Sequence, residues 1–523
     1  MPEATPEDLS DLTFDTVVAG GGTAGCVLAN RLSATGEQVA LVEAGPDFGH
    51  SRGGAWPPVL NDARYVPTPY DWGYHVAPYG YDIPFIRGRV LGGSSVINAA
   101  GINWGLREDY ARWVELGAEG WGFEDLRPFL LKVERLRGDD APGRGRDGAL
   151  FVSRDRATSP LLDDLRRAYA AAGLPGPIDA SGPDAAEGWG DGTRNADGDE
   201  RYHAARAYLD DVRDRPNLTV IGDTLIDRVL WDGDTVTGVA VVRDGRRSQL
   251  RARRVVLAAG AIGTPTVLQR SGIGDAAALA PILGDGVPLH HLPGVGRNLH
   301  DHYGSRLFMR TAPGFAERLA ARGHVPGTRQ SLFARVKSDP ALPAYDLSIG
   351  VNHGDTAPPD GLLPITVFLV HLAAEGSVTI ADADPHSHPV IDLDIGRDED
   401  LDAIARGLRW LRRRLADPAV RDWFAAEAAP EAPESAAEDA DLREHIRRNI
   451  FLFHHATGTG RLGPAGDPLA VAGLDGRVHG FTNLYIGDAS LMPSIPRGMM
   501  ILTVYAMAEK IAAGLVATSP VPR

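Results

Sequence analysis

The chain has 523 residues, a formal net charge of −16, 43% hydrophobic residues, 62 glycines and a single cysteine. Its length exceeds one ordinary core, so two domains are expected, and its acidic balance argues against nucleic acid or an anionic membrane as partner, since both need a basic face. Cys26 alone excludes an intrachain disulfide, a CxxC pair and a cysteine metal cluster; it reads as small buried packing, and no metal is expected. Lysine occurs only at Lys132, Lys337 and Lys510, an arginine bias that suggests a GC-rich, bacterial source. The opening residues Met1-Pro2-Glu3-Ala4 begin an acidic stretch with no apolar h-region, and no apolar run reaches the length of a membrane span. A cytoplasmic location without membrane contact is expected.

In chain order, Phe14-Asp15-Thr16-Val17-Val18-Ala19 reads as a strand, followed by a turn at Gly20, Gly22 and Gly25, a helix, and a second strand ending Leu41-Val42-Glu43. Gly20 suits a tight turn, Gly22 a close approach of backbone to a pyrophosphate, and Gly25 close helix–strand packing. The helix N-terminus offers free N–H groups to phosphate, and Glu43 can accept hydrogen bonds from a ribose. Together these predict an adenine dinucleotide site, without saying which dinucleotide. Residues 51–85, rich in Pro, Tyr, Trp and Gly, read as a long ordered excursion. Residues 106–135 read as helical, with Trp113, Leu116, Leu126, Phe129 and Leu130 inward, and 137–147 as a polar loop. A helix is expected near 203–213, then successive strands over 218–258 with turns at Asp232-Gly233 and Asp244-Gly245. The strand-like alternation of 344–395 predicts a separate antiparallel sheet. Residues 398–427 read as one amphipathic helix with Leu401, Ile404, Leu408, Leu411 and Leu415 on one stripe, and 425–441 as an acidic surface linker.

Four further segments narrow the cofactor. Arg87-Gly88-Arg89-Val90-Leu91-Gly92-Gly93-Ser94-Ser95-Val96-Ile97-Asn98 resembles the first signature of the glucose–methanol–choline (GMC) family of flavoprotein oxidoreductases. Residues 260–274, from Gly260-Ala261-Ile262-Gly263 to Ser271-Gly272-Ile273-Gly274, resemble its second signature, and 455–463 and 484–493 resemble its C-terminal region. The resemblance runs in order from about 14 to 515. It implies non-contiguous domains: FAD-binding segments 12–153, 205–310 and 450–518, and substrate-domain segments 154–204 and 311–449. The implied fold is α/β, a Rossmann-like FAD domain beside a substrate domain built on an antiparallel sheet.

By the same resemblance, Gly20, Gly22, Thr23, Ala24 and Gly25 face the FAD pyrophosphate, Glu43 the ribose, and Ile226 the adenine. Val90, Gly92, Gly93, Ser95 and Asn98 line the flavin side, and Asp488, Ala489 and Met500 complete the cofactor site. Ile97 stands where some relatives carry a histidine bonded to the flavin, so non-covalent FAD is expected. His455 takes the place of the catalytic histidine, a general base suited to removing a hydroxyl proton. His454, its neighbour in extended backbone, is expected to face away; His300 and His302 are given no catalytic role. The family's second histidine or asparagine is Met499 here, which cannot orient an alkoxide, with Arg497 nearby as a possible positive group. The implied activity is oxidation of an alcohol with an apolar portion to an aldehyde or ketone, with oxygen or another acceptor taking the electrons. A non-redox lyase of the hydroxynitrile-lyase type, and a flavin-binding protein without turnover, are the alternatives.

Overall fold

Parallel pairing of the first two strands sets up the cofactor domain. The computed structural model describes residues 9, 12–138, 141–154, 159–184, 186–322, 330–353, 361–429 and 439–518. Thr13–Ala19 and Val39–Val42 are adjacent parallel strands joined by the helix Thr23–Ser33. Leu218–Ile221 extends the parallel layer beyond Val39–Val42, and Arg246–Leu257 and Leu484–Ile486 extend it on the other side. Thr235–Arg243 and Leu225–Asp232 complete the sheet as antiparallel strands, with the two turns where the sequence places them. Positive φ at Gly233, Asp244 and Gly245 is what such tight hairpins require. The helix lies hard against the first turn: a Cβ on Gly25 would stand 1.9 Å from the Gly20 carbonyl oxygen. This is the close packing expected of that glycine.

The second sheet is antiparallel throughout. Its order is Phe424–Ala429, Tyr303–Thr311, Leu362–Leu369, Leu347–His353, Gln330–Val336, Gly188–Asp191, with Phe451–Leu452 also paired to Tyr303–Thr311. Alternation divides its two faces. Leu307, Ile365, Val367, Ile349, Val351 and Leu332 bury one face in the same core as Leu401, Ile404, Leu408, Leu411 and Leu415 of the helix Asp398–Leu415. Arg306, Thr366, Phe368, Phe333 and Ser331 line a cavity on the other. Besides Gly188–Asp191, this sheet includes Tyr303–Thr311 and Phe451–Leu452, which flank the 311–449 segment.

Several expected elements differ. The helix over 398–427 stops at Leu415: Pro418 disfavours helical backbone just before it, and Phe424–Ala429 becomes an edge strand. That strand occupies the start of the expected linker, whose residues 430–438 lie outside the described residues. The helical stretch 106–135 is two helices, Arg107–Glu115 and Phe123–Val133, parted by Gly117 and Gly120, both at positive φ. The loop at 137–147 is shortened by the strand Glu134–Gly138, and the helix near 203–213 contains a π-helical turn, Ala205–Leu209. Among the described residues, no helix is long and apolar enough to cross a membrane.

The C-terminal helix Ile501–Ala517 locks the cofactor domain by one buried acid. Glu509 is fully buried and pairs with Arg31 at 2.7 Å, Lys132 at 2.8 Å and the Tyr208 hydroxyl at 3.1 Å. Although burial opposes its charge, the Arg31 and Lys132 partners hold Glu509 below the ordinary glutamate range. Glu509→Gln should therefore cost on the order of 3 kcal/mol, read as a lowered urea midpoint. A carboxyl depressed in the folded state stabilises most above its unfolded pKa, and that contribution is lost as pH falls through the folded value. The gap between wild type and variant should accordingly narrow as the solution is acidified.

Candidate active site

A cavity of about 670 Å³ lies between the two sheets. The helix Thr23–Ser33 opens onto it: Gly22 is its N-cap, no side chain caps the first turn, and Gly22, Thr23 and Ala24 line the space. Uncapped N–H groups at a helix end attract a phosphate. The backbone is pared back to let one approach, since Gly93 sits at φ +56 and a Cβ there would stand 2.8 Å from the Gly22 Cα. Glu43 lines the cavity at the end of its strand, its oxygens accepting from Gly21 N at 2.8 Å and Gly45 N at 2.9 Å. Burial raises its carboxyl to about 7, so a hydroxyl-bearing partner is favoured there over a second anion.

Ser95, Ile97, Asn98, Ile226, Asp488, Ala489, Met499 and Met500 also line the cavity. Gly25, Val90 and Gly92 are not in the lining and support it from behind: Val90 is fully buried, and Gly92 N donates to the Gly21 carbonyl at 2.7 Å. Asp488 spends its carboxylate internally, accepting from Gly260 N and Thr264 Oγ1 with one oxygen and from Ser490 N and Oγ with the other. It fixes the start of the helix Gly260–Arg270 at the cavity wall. An open helix end, a carboxylate closing the second strand, glycine-lined backbone and an apolar floor at Ile97 fit an FAD molecule.

His455 stands at the far end of this cavity, and its surroundings correct the sequence reading twice. First, His454 also lines the cavity. The ladder pairs Tyr303 with Leu452 but His300 with Thr457, so extra residues bulge between, and His454 sits in the left-handed region at φ 62. The backbone is not extended there, and neighbouring side chains need not face apart. Second, His302 touches the His455 segment directly, with its Nδ1 3.0 Å from His455 Nδ1. Asp301 clamps the same segment, accepting from the backbone N–H groups of His454, at 3.2 Å, and His455. Burial raises Asp301 to about 7, opposed by the Arg87 guanidinium, which also donates to the His454 carbonyl. His302 and Asp301 meet His455 through long-range pairing of the ladder, which no local motif encodes.

Around Met499 the structure supplies what the chain order hides. Asn103 Oδ1 accepts from Met499 N at 2.5 Å, and Asn103, Met499, His302 and His455 share a small side cavity. An amide thus stands beside Met499 from a remote segment. Arg497 does not serve there: its guanidinium pairs with Asp109 at 2.6 Å, and both are buried. The remaining wall is aromatic. Phe453 stacks on His455 with ring centroids 4.9 Å apart and touches Phe368 and Phe451.

An FAD cradle on a Rossmann-like sheet, opening toward a histidine just beyond a strand of the antiparallel sheet, defines a two-domain flavoprotein oxidoreductase. Comparison with known proteins gives the family. The N-terminal profile of GMC oxidoreductases matches residues 14–304 and the C-terminal profile 373–508. The chain is 36% identical to 5-(hydroxymethyl)furfural oxidase of Methylovorus sp. (strain MP688), over 96% of this chain and 99% of that protein. It is 32% identical to oxygen-dependent choline dehydrogenase of Ectopseudomonas mendocina, over 98% and 95%. Among solved structures it resembles pyridoxine 4-oxidase from Mesorbium loti, with TM-score 0.83, 28% identity, and 95% and 98% coverage. The chain belongs to the GMC oxidoreductase family, and it is an FAD-dependent alcohol oxidase or dehydrogenase acting on a small molecule.

A methyl group between Gly93 and Gly22 should disturb the cofactor cradle before anything else. Gly93→Ala, strained by its positive φ as well, should weaken FAD binding on the order of tenfold or more, measured by equilibrium dialysis of the flavin.

Proposed function

We propose that His455 is the general base that takes the alcohol proton. The observation that carries this reading is the His302–His455 contact: two Nδ1 atoms 3.0 Å apart share one proton, and His455 has its Nε2 left for substrate. We assign His302 the tautomer protonated on Nε2, the nitrogen turned away from His455. That tautomer makes His302 the acceptor and His455 Nδ1–H the donor, so His455 Nε2 keeps its lone pair. Burial, with His302 and Arg87 nearby, holds His455 well below its ordinary pKa, and the ring stays neutral and able to accept.

When bound, the flavin supplies the sink for the hydride leaving the carbinol carbon. The chain's own residues do the rest: Asp301 fixes the backbone of the histidine segment, the phenylalanines exclude water, and Asn103 offers an amide beside Met499. Met499 itself closes an apolar wall against Gly101, where a Cβ would lie 3.4 Å from its Cε. The product is an aldehyde or ketone, and the electrons pass to oxygen or another acceptor. The lyase alternative rested on Met499, and with Asn103 beside that residue it has no observation in its favour. Ile97 offers the flavin no nucleophile, so FAD is held non-covalently; acid precipitation should leave all flavin in the supernatant.

His455→Ala should abolish anaerobic bleaching of the flavin by alcohol while FAD stays bound; unchanged bleaching would sink the assignment. Because the neutral form is favoured, wild-type kcat/KM should pass through pH 6.5 without an acid limb and decline only well below it. His302→Ala, which removes the acceptor of His455 Nδ1–H, should lower kcat on the order of tenfold or more and shift that limb. A purely structural role for His302 would leave the limb in place.

A further inference from the structure

The substrate-side wall of the cavity carries a cation that the proton transfer does not use. Arg306 lies on the cavity face of Tyr303–Thr311, opposite Thr366, which pairs with Gly350, which pairs with Phe333. Arg306, Thr366 and Phe333 all line the cavity. The rings of Phe333 and Phe368 lie over Gly350, 3.0 and 3.3 Å from where its Cβ would stand. This row therefore reads, across the sheet, as a guanidinium, a hydroxyl and a pair of rings.

Among the described residues, no carboxylate answers that guanidinium. Among those same residues, Arg306 has no ion pair and no hydrogen bond, its Nε is buried without a partner, and its guanidinium lies over the Phe451 ring, 3.3 Å from the centroid. Desolvation alone draws Arg306 down to about 10, with no acidic group opposing. Two other arginines of the cavity wall are each answered: Arg87 faces Asp301 and Asp71, and Arg270 faces Asp227. A half-buried cation left unpaired is costly unless a ligand supplies the anion. Guanidinium geometry favours a carboxylate held through two parallel hydrogen bonds. From Arg306, the rings of Phe451 and Phe453 run as a continuous wall to His455.

We propose that Arg306 anchors a carboxylate subsite, and that the substrate class is a flat aromatic alcohol bearing a carboxylate away from its carbinol. The ring lies against Phe333 and Phe368, the carboxylate meets Arg306 and the Thr366 hydroxyl, and the carbinol meets His455. This deepens the alcohol-oxidation reading and rests on it for the carbinol end only.

The test uses the FAD-loaded protein and two probes of one shape, benzoate and benzamide, titrated by calorimetry. Wild type should bind benzoate at least tenfold more tightly than benzamide, with the preference shrinking as salt is added. Arg306→Met should erase the preference, and Arg306→Lys should keep part of it. Equal binding of the two probes by wild type, or a preference surviving in Arg306→Met, overturns the subsite; if Arg306→Met does not fold, the wild-type and Arg306→Lys ratios decide alone. Anaerobic flavin bleaching by 4-(hydroxymethyl)benzoate and by benzyl alcohol separates the two readings. An Arg306-dependent benzoate preference with neither alcohol bleaching the flavin upholds the subsite and fells the oxidation reading. Bleaching by both alcohols at equal efficiency, in wild type and Arg306→Lys alike, fells the subsite and spares the oxidation reading.

Discussion

The clamp of Asp301 on the histidine segment is the interaction on which the reaction centre depends. A buried carboxylate accepting from the N–H groups of His454 and His455 ties the end of the cofactor-domain loop to the start of the last return into that domain. Burial alone would drive such a group to its neutral form; the Arg87 guanidinium and the backbone donors oppose this. Arg87 in turn holds the His454 carbonyl, so both sides of the bulge are fixed by one ion pair's worth of charge. The left-handed turn at His454 persists because these partners over-determine it.

The cavity divides into two electrostatic regimes. At the cofactor end the field comes from backbone: an uncapped helix terminus and glycine-lined chain, with side-chain charge spent on holding the walls, as at Asp488. At the substrate end side chains provide it, and they are set among phenylalanines, where each polar group counts for more because water is thin. The same low dielectric keeps His455 neutral and leaves Arg306 uncompensated. A neutral His455 and an unpaired Arg306 thus share one desolvated, aromatic environment.

The cofactor half was legible in sequence because its determinants are local. Strand, Gly20–Gly25 turn, helix and Glu43 are consecutive, and their spacing alone dictates the βαβ geometry. The hairpins at Asp232-Gly233 and Asp244-Gly245 were equally local. The reaction centre was only half legible. His455 could be named from its segment, but His302 and Asn103 reach it across distant pairings that no period records. The face assigned to His454 assumed extended backbone, and a bulge in a ladder with residue 300 is a long-range fact. The overlong helix at 398–427 failed for a related reason: its Ala/Glu-rich end has helical propensity, yet pairing with Tyr303–Thr311 takes Phe424–Ala429 into a strand, as tertiary context routinely does.

Tyr303–Thr311 is where these threads meet. It pairs with Leu362–Leu369 on one side and with Phe424–Ala429 and Phe451–Leu452 on the other, so its register is set from both edges. Slipping it by one residue would turn Arg306 into the helix-packed core and Leu307 into the cavity. The apolar stripe of Asp398–Leu415, buried against Leu307, Ile365 and Val367, makes that slip prohibitive. The packing that stabilises this sheet therefore also aims Arg306 into the cavity, and the residues just before the strand, Asp301 and His302, meet the His455 segment. Stability on one face of the strand and recognition on the other are set by the same register.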